Sequence, residues 1–126
     1  MPGEIRIHNL SRPDAPNIRA KYCDSFRCRF VGLMFRKSLA DNEGLLLIQA
    51  KESKVDASIH MLFMRMDIAV VWIDSRFQVV DAIMARRWHL AYFPKHAARY
   101  VLEMGANNFT YYQAGDRVAF DYEHQA

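Results

Sequence analysis

Five side chains in the sequence are candidates for proton transfer or metal binding, and His60, Asp67 and Glu103 are the possible acid–base residues among them; the other two are His89 and His96. Imidazole and carboxyl groups are the usual general acids and bases of proteins, and a β-sheet can gather them from strands that are distant in sequence. No pair of them has the spacing of HExxH or of another metal motif. A small enzyme, such as a hydrolase or isomerase, that uses these groups is therefore the alternative hypothesis for the function.

Glu103 is flanked by the apolar residues Leu102 and Met104. In a structural interpretation, Glu103 is an outward-facing strand residue or an ion-pair partner for Arg36. Its functional interpretation is a carboxyl group with a shifted pKa. The sequence favours the structural interpretation, and it predicts that the histidines are partly exposed hydrogen-bonding residues.

A second set of candidates is basic and aromatic, and it comprises Arg36, Arg86, Arg87, Trp88 and His89. The segment 86–93 has no clean periodicity, which predicts a loop, and loops on a rigid scaffold often carry binding residues. An arginine can clamp a carboxylate or phosphate through its planar guanidinium, or it can form an internal salt bridge. From this set we predict a noncatalytic module that binds a small anionic ligand or a protein partner.

The composition limits the classes of protein that need to be considered. A chain of 126 residues, 52% hydrophobic and 25% charged, fits a single folded domain over residues 1–126. The net charge is +3, but the basic residues are scattered, which favours a solvated surface over a nucleic-acid face. No apolar run reaches the roughly 20 residues that span a bilayer, and no export signal is visible, so we predict a cytoplasmic location.

The cysteines and methionines are predicted to have structural roles and not to bind a metal. Cys23 and Cys28 have neither CxxC spacing nor a matching second pair, which predicts two reduced structural thiols, no metal and no cofactor. The methionines at positions 61, 64 and 66 could bind a soft metal, but filling of irregular gaps in the core is the better explanation.

These candidates must be positioned by a sheet whose centre is the apolar stretch 59–74. It ends in a β-branched and aromatic block, residues 68–73, which is typical of a strand buried on both faces. A turn at 74–76 leads into a second strand, 77–84, and this pair is predicted to form the centre of the sheet. Residues 51–56 are polar and predict a loop.

The rest of the chain supplies shorter elements. Alternation predicts strands at 4–8, 17–22 and 118–122, and a short apolar run predicts one at 45–48. A short helix is predicted in which Phe26, Phe30 and Leu33 share the face toward the core. Residues 95–104 fit either a helix, between Pro94 and Gly105, or a strand.

Several short motifs follow one another along the chain. They are Gly32-Leu33-Met34 followed by Arg36, Gly44-Leu45-Leu46-Leu47, Ile59-His60-Met61 through Phe63-Met64-Arg65, Val70-Val71-Trp72-Ile73-Asp74, Ala98-Arg99-Tyr100-Val101-Leu102-Glu103 and Gly115-Asp116-Arg117-Val118. With these motifs in this order, the chain resembles, over about residues 18–120, a bacterial and archaeal family, the domain of unknown function 192. The resemblance implies a mainly β, compact β-sandwich or jelly-roll-like fold with one or two short helices. It favours a strand over residues 100–103 and implies no established activity.

The chain departs from the family pattern at one place. The family usually has Pro-x-Asp at the start of the central strand, and here Asp67 takes the proline position while Ala69 takes the aspartate position. Because side chains alternate along a strand, Asp67 and Ala69 are expected to point to the same face. A displaced carboxylate at Asp67 could therefore still serve that side of the sheet.

Overall fold

Seven β-strands and two short helices form the computed structural model, which describes residues 3–122. The strands are β1 (Glu4–Asn9), β2 (Ile18–Cys23), β3 (Glu43–Ser53), β4 (Ile68–Ile73), β5 (Val79–Ala85), β6 (Ala98–Gly105) and β7 (Val118–Tyr122). The helices are α1 (Phe26–Val31) and a 3₁₀ helix (Ala106–Tyr111). The two ends of the predicted domain, residues 1 and 126, lie outside the described residues.

The strands form one curled sheet in the order β5-β4-β6-β3-β2-β1-β7. The β2–β3 pair is parallel and the other neighbouring pairs are antiparallel. The two ends of the sheet approach each other, because Val79 at the start of β5 donates its N–H to Asp116 O at 2.8 Å and accepts one from Gly115 N at 2.8 Å. This architecture confirms the predicted mainly β fold with short helices. In residues 3–122, no helix combines the length and the apolar character that a membrane crossing requires.

The two faces of the sheet bury separate apolar clusters. The inner cluster lies inside the curl and takes Tyr100, Leu102 and Met104 from β6. The outer cluster takes Val101 from the same strand, as the alternation of strand side chains requires. Residues of the connections 54–67 and 86–97, such as Met61 and Tyr92, cover this second face. The outer face and its covering connections are the part of the fold that holds the candidate site.

The central strand is shorter than predicted. All six residues of β4 are buried, which confirms the predicted strand at 68–73. Residues 59–67, however, form an irregular connection across the outer face, held by Ile59 N–H donating to Tyr92 O at 3.0 Å and by Met61 N–H donating to His89 O at 3.0 Å. The polar residues Arg65 and Asp67 interrupt the apolar run, and the strand begins only after them.

Two further predictions about the sheet are wrong. β3 continues to Ser53 through residues that were predicted as a loop, because this end of the strand still pairs with Ala98 of β6. The β4–β5 pair does not lie at the centre, because β6 pairs with β4 on one side and with β3 on the other, which leaves β5 at the end of the sheet order. The ambiguous segment 95–104 contains strand β6, as the resemblance implied.

Helix α1 forms where it was predicted but does not bury its apolar face. The Ser25 hydroxyl accepts the Cys28 N–H at 3.1 Å and caps the helix. Phe26 is 76% exposed and Phe30 56%, whereas Leu33, after the helix, is buried. The prediction that both phenylalanines face the core is therefore wrong, and the reason is a cavity between them and the sheet.

The prediction of two reduced thiols is also wrong, because Cys23 and Cys28 form a disulfide. Cys23 ends β2 and Cys28 lies in α1, so the reversal of the chain between these elements brings their Cα atoms to 5.7 Å, a separation that a disulfide can span. The bond ties the helix to the sheet.

Candidate functional site

A cavity of about 500 Å³ lies between helix α1 and the outer face of the sheet. We call it the α1 pocket. Helix α1 and the turn at Gly32 form one wall, Gln49 of β3 and Glu103 of β6 contribute from the sheet, and the connection that carries Asp56 and His60 lines the rest. Its volume falls within the range of pockets that hold small organic molecules.

Glu103 is the unusual side chain of this pocket. It projects from β6 at the position that pairs with Leu45 and Val70, on the face that holds the outer cluster, and it is only 5% exposed. No side chain or N–H group among residues 3–122 forms a hydrogen bond or ion pair with its carboxyl group. Burial raises the pKa of Glu103 to about 7, because a charged carboxylate is poorly solvated there.

This position contradicts the structural interpretation drawn from the sequence. Glu103 does not face outward to solvent, and Arg36 instead lies 3.2 Å from Glu43 Oε2. The functional interpretation stays a prediction, which the burial of this carboxyl group and its raised pKa support.

Gly32 brings the backbone against this carboxyl group. A Cβ atom placed on Gly32 would lie 3.1 Å from Glu103 Oε1. Gly32 also has a φ angle of 50°, which residues other than glycine rarely adopt. The turn after α1 therefore needs glycine for two reasons, its backbone conformation and the space beside the carboxyl group.

Gln49 and His60 add further polar groups to the pocket lining. Gln49 is 6% exposed, and its side-chain amide has no hydrogen bond to any part of the described chain. His60 Nε2 lies 2.9 Å from Phe30 O, so this nitrogen carries the proton and donates it to the carbonyl group. The other ring nitrogen, Nδ1, is buried and has no hydrogen-bond partner within residues 3–122. Three lining residues thus have polar groups that the described part of the chain does not satisfy.

The arginine in the pocket lining, Arg29, already forms hydrogen bonds within the protein. Arg29 of α1 donates from one guanidinium nitrogen to Asp24 O at 2.6 Å and to Ile48 O at 3.2 Å. Both partners are backbone carbonyl groups, so the arginine clamps the helix to β3.

Asp67 does not join this pocket. It precedes β4, where its Oδ1 accepts the Arg87 N–H at 2.8 Å and its Oδ2 lies 3.2 Å from Arg86. The Arg87 N–H and the two guanidinium groups hold the pKa of Asp67 below its usual value. Because Asp67 lies outside the strand, the alternation used to place it beside Ala69 does not apply, and Ala69 belongs to the inner cluster.

The other predicted binding residues lie on the surface of the outer connections. Trp88 is 58% exposed and packs edge-on against Phe63, with 5.3 Å between ring centroids, and Phe63 contacts Phe35. The rings of His89 and Tyr92 stack at 4.2 Å. Arg86, Arg87 and Arg36 each have a carboxylate partner. Of the predicted acid–base residues, the structure brings His60 and Glu103 to one pocket and places Asp67 with the 86–89 loop.

Sequence reasoning missed Gln49, Arg29 and the exposed face of α1 as parts of a site. One signal was available. Gln49 continues the alternation of Leu45 and Leu47, and Glu103 continues that of Val101, so both polar side chains occupy positions where the pattern predicts burial. Among residues 3–122, no three His, Cys, Asp or Glu side chains form a group that could hold a metal ion.

Two relatives of the chain come from archaea. The chain is 42% identical over 97 residues to UPF0127 protein TK1120 of Thermococcus kodakarensis, covering 77% of this chain and 60% of that relative. It is 33% identical over 115 residues to a UPF0127 protein of Pyrococcus furiosus, covering 90% of this chain and 96% of that one. The chain thus spans about three fifths of the length of the Thermococcus kodakarensis relative.

Solved structures share the fold at low identity. A protein of Sinorhizobium meliloti 1021, described as a "putative transcription regulator", superposes with a TM-score of 0.81 at 18% identity, over 93% of this chain and 92% of that one. A protein of unknown function from Novosphingobium aromaticivorans gives a TM-score of 0.76 at 16% identity, over 92% and 83% of the two chains. The family model described as "Uncharacterized ACR, COG1430" matches residues 8–120, and the chain therefore belongs to this uncharacterised family, DUF192.

Proposed function

We propose that this chain, as a single domain, binds a small organic molecule in the α1 pocket. The sheet supplies hydrogen-bonding groups at Glu103 and Gln49, and the exposed apolar side of α1 supplies the opposite wall. A concave, largely apolar site with a few convergent polar groups is the usual form of a small-molecule site.

The buried carboxyl group of Glu103 carries this proposal. A buried polar group without a partner costs stability, and an ionised one costs more. An apolar residue at this position would continue the outer cluster, which contains the neighbouring Leu45 and Val70. A ligand that bonds to the carboxyl group would supply the partner that the protein lacks.

Helix α1 gives independent support. Its apolar residues Phe26, Phe30 and Val31 are exposed and line the same pocket. A ligand with an apolar body would cover part of this surface, which explains why an amphipathic helix is held away from the core.

The Arg86–His89 loop is the weaker proposed site. It was predicted to hold a small anionic ligand or a protein partner, together with Arg36. Since these arginines already have carboxylate partners, an anion would have to displace Asp67 or Glu43. We retain this loop as a proposed contact surface for a protein partner.

Native mass spectrometry of the gently purified chain tests the pocket. We expect a discrete added mass on the wild-type chain that is absent from Glu103→Leu and present on Glu43→Gln. The control removes a carboxylate from the Arg36 ion pair and leaves the pocket unchanged. If the wild-type chain is bare, a ligand-observed NMR fragment screen follows, and the proposal fails if no fragment depends on Glu103.

Acid–base catalysis is the second candidate function, and the pKa of Glu103 favours it. A carboxyl group that titrates near pH 7 can both accept and donate a proton at neutral pH, and His60 lines the same pocket. A hydrolase or isomerase would then use Glu103 and His60 without Asp67. Once a bound compound is known, Glu103→Gln should still bind it but not convert it. Equal conversion by the variant would exclude this role.

A cytoplasmic location remains a prediction, and the Cys23–Cys28 disulfide makes it testable. Reducing cytosol keeps most protein thiols unpaired, with intracellular proteins of hyperthermophiles as an exception. Alkylation of the thiols during cell lysis, followed by mass spectrometry, would show whether the bond exists in the compartment that holds the chain.

A further inference from the structure

We infer that the ligand of the α1 pocket is an organic cation, an amine or ammonium compound with an apolar body. This inference rests on the binding function proposed above and specifies the chemistry of the molecule bound. It reverses the anionic ligand that the arginine-rich loop predicts.

The distribution of charge around the pocket carries the first step. Glu103 contributes a buried carboxyl group without a partner, and Asp56 contributes a second carboxyl group to the lining. Arg29 is the basic residue of the lining that stays charged at every relevant pH, and it is anchored to the carbonyl groups of Asp24 and Ile48. Its charge does not contribute to the raised pKa of Glu103, for which burial is the cause. A cation in the pocket would therefore meet a carboxylate that forms no ion pair with any basic side chain of residues 3–122.

The wall opposite the sheet provides the second step. The rings of Phe26 and Phe30 are stacked with centroids 6.3 Å apart, and the Phe30 ring contacts His60 at 5.0 Å. Both phenylalanines are more than half exposed. An ammonium group is attracted to the face of an aromatic ring, and its hydrocarbon body gains from contact with the same surface. A buried carboxyl group and exposed aromatic rings in the lining of one pocket are a combination that suits cations better than anions or neutral molecules.

Three matched probes test the inference: 4-phenylbutylamine, 4-phenylbutanol and 4-phenylbutyrate. They share an apolar body and differ in the charge of one end. We expect isothermal titration calorimetry at pH 8 to give at least tenfold tighter binding for the amine than for the other two. Glu103→Gln, which is close in shape but uncharged, should reduce amine binding to the level of the alcohol. Asp67→Asn is the control, because it removes a surface carboxylate outside the pocket.

The pH dependence supplies a second readout. Glu103 must be ionised to hold a cation, so affinity for the amine should increase about tenfold per pH unit from pH 5 to 7 and level off above 7. The amine itself stays protonated across this range, as lysine does. The other titratable lining groups are Asp56, His60 and Arg29. His60→Gln should therefore keep the profile, and Glu103→Gln should flatten it.

The possible outcomes separate the two claims. Equal or tighter binding of the alcohol or the carboxylate, still dependent on Glu103, overturns the cation inference and leaves the pocket as a binding site. If none of the three probes binds, the cation inference also fails, and the native mass measurement decides whether the pocket binds anything else. Amine binding that survives in Glu103→Gln would likewise overturn the inference.

Discussion

The α1 pocket and the Arg86–His89 loop each contain a carboxyl group, and the two groups differ in how many partners the protein gives them. Asp67 accepts the Arg87 N–H and faces two guanidinium groups. Glu103 has no partner in residues 3–122, although it is far more deeply buried. Correspondingly, the pKa of Asp67 is lowered and that of Glu103 is raised. Residues of the same chemical type are thus structural in one region and available to a ligand in the other.

This comparison explains why the loop looked like the better site in the sequence. Basic and aromatic residues in a loop predict a binding site. A flexible loop can also adopt a conformation in which its charged groups pair within the protein, as Arg86 and Arg87 do with Asp67. Side chains on strands cannot move in this way. Glu103 and Gln49 are fixed by the register of β6 and β3, and the α1 pocket lies next to them.

The largest predicted effect is the response of stability to pH in Glu103→Gln. The pKa of Glu103 rises from an ordinary 4.5 to about 7 on folding. The contribution of this carboxyl group to the free energy of unfolding is therefore most favourable below pH 4.5 and is lost as the pH rises through 7. Relative to the wild-type chain, the variant should therefore gain about 3 kcal/mol of unfolding free energy between pH 4 and pH 8. Urea denaturation of both chains at the two pH values measures this gain, and an equal difference at both would contradict the raised pKa.

The next largest effect is expected at Gly32, with Gly115 as the matched control. Both glycines have positive φ angles, 50° and 95°, so alanine at either position should cost about 1–3 kcal/mol. A Cβ at Gly115 meets nothing within 4 Å, whereas one at Gly32 meets the Glu103 carboxyl group. Only Gly32→Ala should therefore also change the pKa of Glu103, as followed by NMR. A similar pKa change in Gly115→Ala would show that the contact at Gly32 is not the cause.

Asp67→Asn should have a smaller effect with the opposite dependence on pH. The pKa of Asp67 is lowered, so its stabilising contribution is present above the unfolded pKa and is lost as the pH falls through the folded value. We expect a loss of about 1 kcal/mol or less at pH 7, since the ion pairs are partly exposed. The loss should vanish once the pH is below the folded pKa of Asp67, as measured by urea denaturation in acid. A loss that is constant with pH would indicate a packing effect instead.

The smallest effect is predicted for Arg36→Gln. Its ion pair with Glu43 is exposed, and such pairs contribute about 0.5 kcal/mol or less. The pKa of Glu43 should stay low, because a hydrogen bond from the Ala40 N–H is the first cause of its shift and the arginine a lesser one. Carbon-detected NMR titration of Glu43 checks this. Loss of ligand binding in this variant would return Arg36 to the candidate site.

The sequence predicted most strands because alternation and β-branched composition are local properties. The block at 68–73 and the closing strand at 118–122 appear as expected. The order of the strands was not predictable in this way, because pairing β6 between β3 and β4 depends on contacts that are distant in sequence.

The candidate site was only partly predictable for the same reason. His60 and Glu103 were identified by residue type, but their common pocket depends on the packing of the 54–67 connection over β6. The apolar face of α1 was assigned to the core because a periodic pattern is the same whether the face covers other side chains or a cavity. The exposed rings of Phe26 and Phe30 show that this face lines a cavity.

The disulfide gives the pocket a sensitivity to its chemical surroundings. Helix α1 has six residues and none of them is buried, so it stays against the sheet through few contacts: the hydrogen bonds of Arg29 and His60 and the bond between Cys28 and Cys23. A helix this short is marginal without such support. Cleaving the bond would remove one of these contacts and loosen the phenylalanine wall next to Glu103. The affinity of the chain for its ligand would then measure the thiol–disulfide balance of the compartment in which it works.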